Sequence, residues 1–202
     1  DALVLDVNGD NRPDIVECNW DRHRLYLGQA GGTFLDVTAT HMPNRYYGWQ
    51  VAAGDLDGDG SKDLVFVAGY GGTGFDHVYM NDGTAHFTDQ SIRLAGRTND
   101  RGVAIGDIDG DGDNDLALGV TGNNAPLQRW STIFRNDGLA NFTQDPTSLP
   151  AGVTPLDSNE HAFFVDLDAD HDLDLVMWGA PRQVLLNDGS GAYSNVTDSL
   201  EA

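Results

Sequence analysis

The stretch DLDGDGSKD at residues 55–63 decides the fold, because it recurs as DVNGDNRPD at 6–14, DIDGDGDND at 107–115 and DLDADHDLD at 166–174. Each copy sets side-chain oxygens at positions 1, 3, 5 and 9, with a backbone carbonyl at position 7. Oxygens so spaced can converge on one hard cation. Calcium, which takes six to eight oxygen ligands at about 2.3–2.6 Å, suits such a loop better than magnesium, which demands tighter octahedral geometry. The predicted ligands are Asp6, Asn8, Asp10 and Asp14 with the Arg12 carbonyl; Asp55, Asp57, Asp59 and Asp63 with the Ser61 carbonyl; Asp107, Asp109, Asp111 and Asp115 with the Asp113 carbonyl; and Asp166, Asp168, Asp170 and Asp174 with the Asp172 carbonyl. The expected cofactor is Ca²⁺, about one ion per repeat.

One Asp/Gly-rich stretch would be a plain solvated turn. Four in the same register, each crowding carboxylates that repel without a cation, are ion loops. Gly9, Gly58 and Gly110 permit a left-handed backbone at position 4, where the fourth copy has Ala169. The first loop has one carboxylate fewer, and the fourth lacks both glycines. Loops two and three are therefore expected to be the strongest.

These are not EF-hand loops, which need a bidentate Glu at position 12 and flanking helices. Position 12 is Glu17, Phe66, Leu118 and Met177, and the segments that follow (DIVECNW, DLVFVAG, DLALGVT, DLVMWGA) are short apolar runs rich in β-formers. The acidic loops therefore connect strands. Their first aspartates fall at 6, 55, 107 and 166, intervals of 49, 52 and 59 residues. A second signature keeps phase with them: LYLGQAGGTFLDVT, VYMNDGTAHFTDQS, IFRNDGLANFTQDP and VLLNDGSGAYSNVT. Each is a strand, a Gly-rich turn and another strand, a hairpin signal. Every repeat thus reads as four antiparallel strands, for the second repeat roughly 50–54, 64–68, 77–81 and 86–90. Such units at this period mark an all-β fold, a β-propeller with four blades in this chain, approximately 1–48, 49–99, 100–159 and 160–202. The runs 64–68 and 116–118 are apolar without alternation, as strands buried between blades should be.

The acidic loops and NDG turns resemble FG-GAP/VCBS-type repeats, the blade units of integrin α-subunit propellers and of many secreted proteins. The resemblance covers nearly the whole chain and implies a calcium-stabilised propeller. Family propellers usually have seven or so blades. With four blades, and a start at Asp1 inside the first strand, the expectation is a fragment or processed product, a closed four-bladed ring, or a unit that pairs with another copy.

The formal charge is −21 from 32 acidic and 11 basic residues. Fifteen of the acids are the loop ligands, and four calcium ions would leave about −13. An acidic surface argues against nucleic acid, which needs a basic stripe. No segment approaches the apolar length of a membrane span, and no signal peptide is present, so any targeting segment is expected to be removed or to lie elsewhere. Cys18 stands alone and is expected to be a buried strand residue. Loops of this type suit millimolar extracellular calcium, so the expected location is extracellular or cell-surface, periplasmic if the source is bacterial. Asn141 and Asn195 head N-glycosylation sequons that chance alone also produces.

In a four-stranded blade the first and third hairpins share one face, so the acidic loops lie beside the NDG turns. The opposite face carries the longer, more varied segments 19–24, 42–49, 69–76, 93–102, 121–130, 148–161 and 179–182. Binding groups concentrate on such loops. Trp20, Tyr46, Tyr47, Trp49, Tyr70 and Trp130 can stack on sugar rings or pack against a protein; their plainer role is to cover the core or pin their own loops. Arg93, Arg97 and Arg101 read as solvated charges, and Asp157, Glu160 and His161 as a loop anchor. No nucleophile elbow, phosphate loop or zinc spacing appears. The leading reading is a noncatalytic recognition or adhesion module for a protein or glycan. A second reading is a polysaccharide lyase or hydrolase using His23, His77 or Arg129. A third is an assembly unit that self-associates into rings or filaments.

Overall fold

The computed structural model describes residues 1–43, 47–69, 75–94, 100–120, 131–150, 158–180 and 182–200. The chain divides into two compact units, 1–99 and 100–202. The first holds strands β1 (Ala2–Leu5), β2 (Asp14–Glu17), β3 (Arg24–Gln29), β4 (Thr33–Asp36), β5 (Gln50–Gly54), β6 (Asp63–Val67), β7 (His77–Asn81) and β8 (Phe87–Asp89). The second holds β9 (Asp100–Gly106), β10 (Asp115–Val120), β11 (Thr132–Asn136), β12 (Phe142–Asp145), β13 (Ser158–Val165), β14 (Asp174–Ala180), β15 (Gln183–Asn187) and β16 (Tyr193–Asn195). They form four antiparallel sheets, each a meander of four consecutive strands. The strands predicted for the second repeat sit where expected, with β6 starting and ending one residue earlier and β8 shorter at both ends. β13 begins at Ser158, two residues before the boundary drawn from sequence.

Within the first unit the two sheets bury a shared core that includes Val7, Val16, Leu25, Val51, Leu64, Phe66 and Tyr79. In the second unit Ala104, Ile108, Ile133, Ala162, Leu175, Met177 and Leu185 do the same. The apolar runs fulfil their expectation: Leu64 to Val67 and Leu116 to Leu118 are buried. At Gly102 a Cβ would come within 2.9 Å of the Ala162 backbone nitrogen, so β9 lets β13 approach only because it carries glycine there. Cys18 is buried, one residue past the end of β2, and burial pushes its thiol up to about 12.

Short helical turns follow three outer strands: α1 (Thr38–His41), and the turns Ser91–Leu94 and Thr197–Leu200. Sequence reading did not anticipate them, although the strands end on a common cue, Asp or Asn followed two residues later by Ser or Thr. Asp36, Asp89 and Asn195 each accept a bond from the backbone N–H two residues on, at 3.0 Å. The Thr38 and Thr197 hydroxyls then accept from Leu25 and Val184 N–H, returning the turn to the neighbouring strand.

The asparagine of the NDG turn does more than turn the chain. Asn81 Nδ2 donates to the Val7 carbonyl of the preceding sheet at 2.8 Å and to Lys62 at 3.0 Å, while its Oδ1 accepts from Gly83 and Ala85 N–H. Asn187 repeats the pattern in the second unit, donating to Ile108 at 2.8 Å and Leu173 at 3.2 Å and accepting from Gly189 and Gly191. One amide thus closes its own hairpin and joins two sheets. Removing it orphans two carbonyls and two N–H groups. We expect Asn81→Ala or Asn187→Ala to lower unfolding free energy by about 2–4 kcal/mol in denaturant titration, against under about 0.5 kcal/mol for the exposed Thr84→Ala.

Candidate metal centre

The acidic loops share one internal plan. The position-1 carboxylate folds the loop around itself: Asp55 accepts from Gly58 and Gly60 N–H at 2.8 and 2.9 Å, Asp107 from Gly110 and Gly112 at 2.8 and 3.0 Å, Asp166 from Ala169 and His171 at 2.7 and 3.2 Å. Asp6 takes four such bonds, from Asn8, Gly9, Asp10 and Asn11. Partial desolvation pushes the Asp6 carboxyl upward, but these N–H groups outweigh it and hold it below the usual range. The position-5 carboxylates Asp10, Asp59, Asp111 and Asp170 each accept from the N–H of position 7. Positions 4 and 6 take positive φ in every loop, including Ala169 at 66° and His171 at 78°. The fourth loop therefore keeps the shared backbone without glycine, at a cost on the order of 1 kcal/mol per residue.

Position 9 is the first residue of the second strand in each sheet, and its carboxylate is buried: Asp14, Asp63, Asp115 and Asp174 are at most 1 % exposed. One oxygen accepts from position 2 of the loop: Val7, Leu56 and Leu167 N–H at 2.9, 2.8 and 2.8 Å. The other accepts from the start of the β3–β4-type turn: Gly28, Asn81, Asn136 and Asn187 N–H, all at 2.8 to 2.9 Å. Burial pushes Asp63 and Asp115 up to about 6 against these bonds. These contacts put the acidic loop and the NDG turn at the same edge of each sheet. A Cβ at the turn glycines Gly138 and Gly189 would strike the position-7 side chains Asp113 and Asp172 at 2.6 and 2.5 Å.

The donors fit a hard cation in three loops. Carboxylate oxygens of Asp55, Asp57 and Asp63, of Asp107, Asp109 and Asp111, and of Asp166, Asp168 and Asp174 lie within 4.8 Å of one another in each group. Desolvation and neighbouring aspartates push Asp113 and Asp168 upward, the mark of like charges held together. In the first loop Asn8 replaces one carboxylate, and the Arg12 guanidinium caps Asp10 while its Nε donates to the Gly28 carbonyl at 3.0 Å.

At the other edge of the first unit, Trp20 lies edge-on to Tyr47 and Trp49, with ring centroids 6.4 and 6.1 Å apart. Tyr47 and Gly48 N–H donate to the Trp20 and Asn19 carbonyls, strapping the two segments together. Trp20 and Tyr47 are about half exposed. Tyr46, Tyr70, Trp130, Arg97, Arg129 and Asp157 lie outside the described residues. His23 and His77 do approach, at 6.2 Å between centroids, but inside the core: His23 stacks on Phe66 at 4.0 Å, and burial, with His77 second, pushes it down to about 3. His161 stacks on Phe163.

The FG-GAP-like repeat pattern matches residues 6–66 and 57–118. This chain belongs to the FG-GAP-like repeat family. Integrin alpha-PS3 of Drosophila melanogaster is 34 % identical across 51 % of the chain and 10 % of its own length. Integrin alpha-6 of Homo sapiens is 34 % identical across 60 % of the chain and 11 % of its own. The chain thus spans about a tenth of the length of the curated relatives it matches. Among solved structures, an Agrocybe aegerita lectin that recognises non-reducing terminal N-acetylglucosamine superposes with a TM-score of 0.59 at 19 % identity, over 96 % of this chain and 51 % of that one. That likeness is one of fold, and the four sheets of these FG-GAP repeats are propeller blades.

Substitution distinguishes the buried architectural carboxylate of each loop from the more exposed ones that could ligate an ion. In EDTA, Asp63→Ala should cost about 3–5 kcal/mol, because two buried N–H groups lose their acceptor. Asp57→Ala, which gives up an exposed 3.3 Å contact from Asp59 N–H, should cost less than about 1 kcal/mol there and act only when calcium is present. Denaturant titrations with and without calcium check both.

Proposed function

We propose that the chain is a calcium-stabilised extracellular recognition module that binds a glycan or a protein through the blade edge opposite its acidic loops. The observation that carries this reading is the half-exposed pair Trp20 and Tyr47, with Trp20 edge-on to both Tyr47 and Trp49 and the two segments strapped by backbone bonds. Rigid aromatic faces bind sugar rings and protein side chains at little entropic cost. Membership in a repeat family shared with integrin α chains, and the fold shared with an N-acetylglucosamine-binding lectin, support a binding role. Among the described residues no helix is long and apolar enough to cross a membrane.

In this reading calcium holds the loop edge rigid and leaves the aromatic edge for recognition. The residues that would hold it are Asp55, Asp57, Asp59 and Asp63, with the matching positions of loops three and four; loop one, with Asn8 and its Arg12 cap, is the weakest. Calcium bound only by the native state raises stability by mass action. Saturating calcium should therefore raise Tm by several degrees over EDTA in a thermal scan; an unchanged Tm removes the metal assignment.

Binding is tested with a glycan array in calcium, using the wild-type chain and Trp20→Ala. A retained glycan signal that Trp20→Ala lowers by about tenfold or more supports the aromatic edge. Glycan binding untouched by Trp20→Ala would move the site elsewhere, and silence on the array leaves the protein-ligand form of the proposal, to be tested by pull-down with the same pair.

A further inference from the structure

We propose that Arg135 is a built-in counter-cation of the third acidic loop, which competes with calcium for Asp109 and Asp115 and makes this site bind the ion more weakly than its carboxylate count implies. The inference rests on the loops being calcium sites and concerns what this chain has added to one of them.

Arg135 lies on β11, one residue before the NDG asparagine. The same place holds Leu27, Met80 and Leu186 in the other repeats, so nothing in the blade plan calls for a charge there. Its guanidinium reaches into the acidic loop: Nη1 is 3.0 Å from Asp109 Oδ2 and 3.4 Å from Asp115 Oδ2. The remaining nitrogens face a second anchorage outside the loop. Nε lies 3.4 Å from Asp145 Oδ2, and Nη2 donates to the Ser148 hydroxyl at 3.2 Å and the Ser190 carbonyl at 3.1 Å. The neighbouring repeat leaves room for it. Gly191 stands where repeats two and three carry Ala85 and Ala140, and a Cβ there would sit 2.1 Å from Arg135 Nη2.

The consequence for an ion follows from acceptor capacity. A carboxylate offers about four lone-pair sites. Asp115 already accepts from the backbone of Asn136 and Ile108 before Arg135 is counted. Asp109 Oδ2 faces Nη1, and Oδ1 accepts from Asp111 N–H at 3.3 Å. In loops two and four the acidic triplet includes the position-9 aspartate; in loop three it is Asp107, Asp109 and Asp111, with Asp115 on the arginine instead. A calcium ion at about 2.3–2.6 Å from oxygens of Asp109 and Asp115 would stand in close like-charge approach to a guanidinium at these distances, so each cation weakens the hold of the other. Withdrawal of the arginine towards Asp145, Ser148 and Ser190 relieves that repulsion. Without calcium it neutralises a nearly buried carboxylate that would otherwise be costly.

The test compares wild type, Arg135→Met and Arg135→Met/Asp109→Asn. Methionine is what repeat two carries at this position. Calcium-stripped protein is titrated with CaCl₂ in a calorimeter, and Tm is measured in EDTA. Arg135→Met should tighten one site by about tenfold or more, the scale of one or two charge-assisted hydrogen bonds, and the added Asp109→Asn should abolish that gain. Arg135→Met should also lower Tm in EDTA. An isotherm that superimposes on wild type, or an unchanged Tm in EDTA, overturns the proposal. If wild type binds calcium and Arg135→Met gains nothing, only this inference falls; if neither binds calcium, the metal reading falls with it. A measurement on the unaltered chain is independent of the variant's folding: the Arg135 Nε–Hε resonance should shift as calcium is added, and a resonance unmoved at saturation overturns the proposal.

Discussion

Everything at the loop edge depends on one buried carboxylate per repeat. A carboxylate removed from water must be compensated or it will not stay charged. In each blade position 9 is compensated from two directions, by the N–H of loop position 2 and by the N–H that opens the next turn. These are the first and third hairpins of the meander, which the sheet alone does not link. The carboxylate therefore sets the distance between them. With that distance fixed, the turn glycine meets the position-7 side chain, and the asparagine amide reaches the carbonyl of the preceding sheet. The acidic loop is thus part of the blade-to-blade joint.

That coupling explains why the two edges of the first unit differ in chemistry. The loop edge is crowded with acceptors whose donors are mostly backbone, so its geometry is over-determined. The opposite edge is free of this constraint. Its segments vary in length between repeats, and in the first unit it exposes the rings of Trp20 and Tyr47 beside the charged Asp21 and Arg24. Specific contacts can change there without disturbing the hydrogen bonds that align the blades.

The period, the strands and the loop positions were legible because each rests on chemistry local in sequence: alternating acids, a Gly-rich turn, a short apolar run. The second repeat shows how far this goes, since β5 and β7 fall on the predicted residues. What stayed hidden joins residues far apart. Asn81 reads as a turn residue, and only the fold shows its amide bonded 74 residues away at Val7. His23 and His77 read as separate candidates for acid/base chemistry, and packing on Phe66 and Tyr79 turns them into core. The helical turns after β4, β8 and β16 did carry a local cue, an Asx residue two before Ser or Thr, which lies outside the hydrophobic periodicity used to find strands.

Carboxylate count and glycine content bear differently on the loops: the acidic triplets lie in the three loops with a full set of acids, whereas missing glycines do not alter the backbone. Loop four reaches the shared backbone with Ala169 and His171 at positive φ, so lost glycines cost strain without changing shape. Loop three has a full set of acids, yet part of that charge is spent on a guanidinium from β11. Loop one, with fewer acids, also holds an arginine, drawn from within the loop itself. What distinguishes the repeats is how each compensates its buried carboxylate when no ion is bound. An internal cation stabilises the ion-free blade and would oppose a bound ion by the same interaction, so under the calcium reading proposed above the loops best compensated on their own would depend on it least.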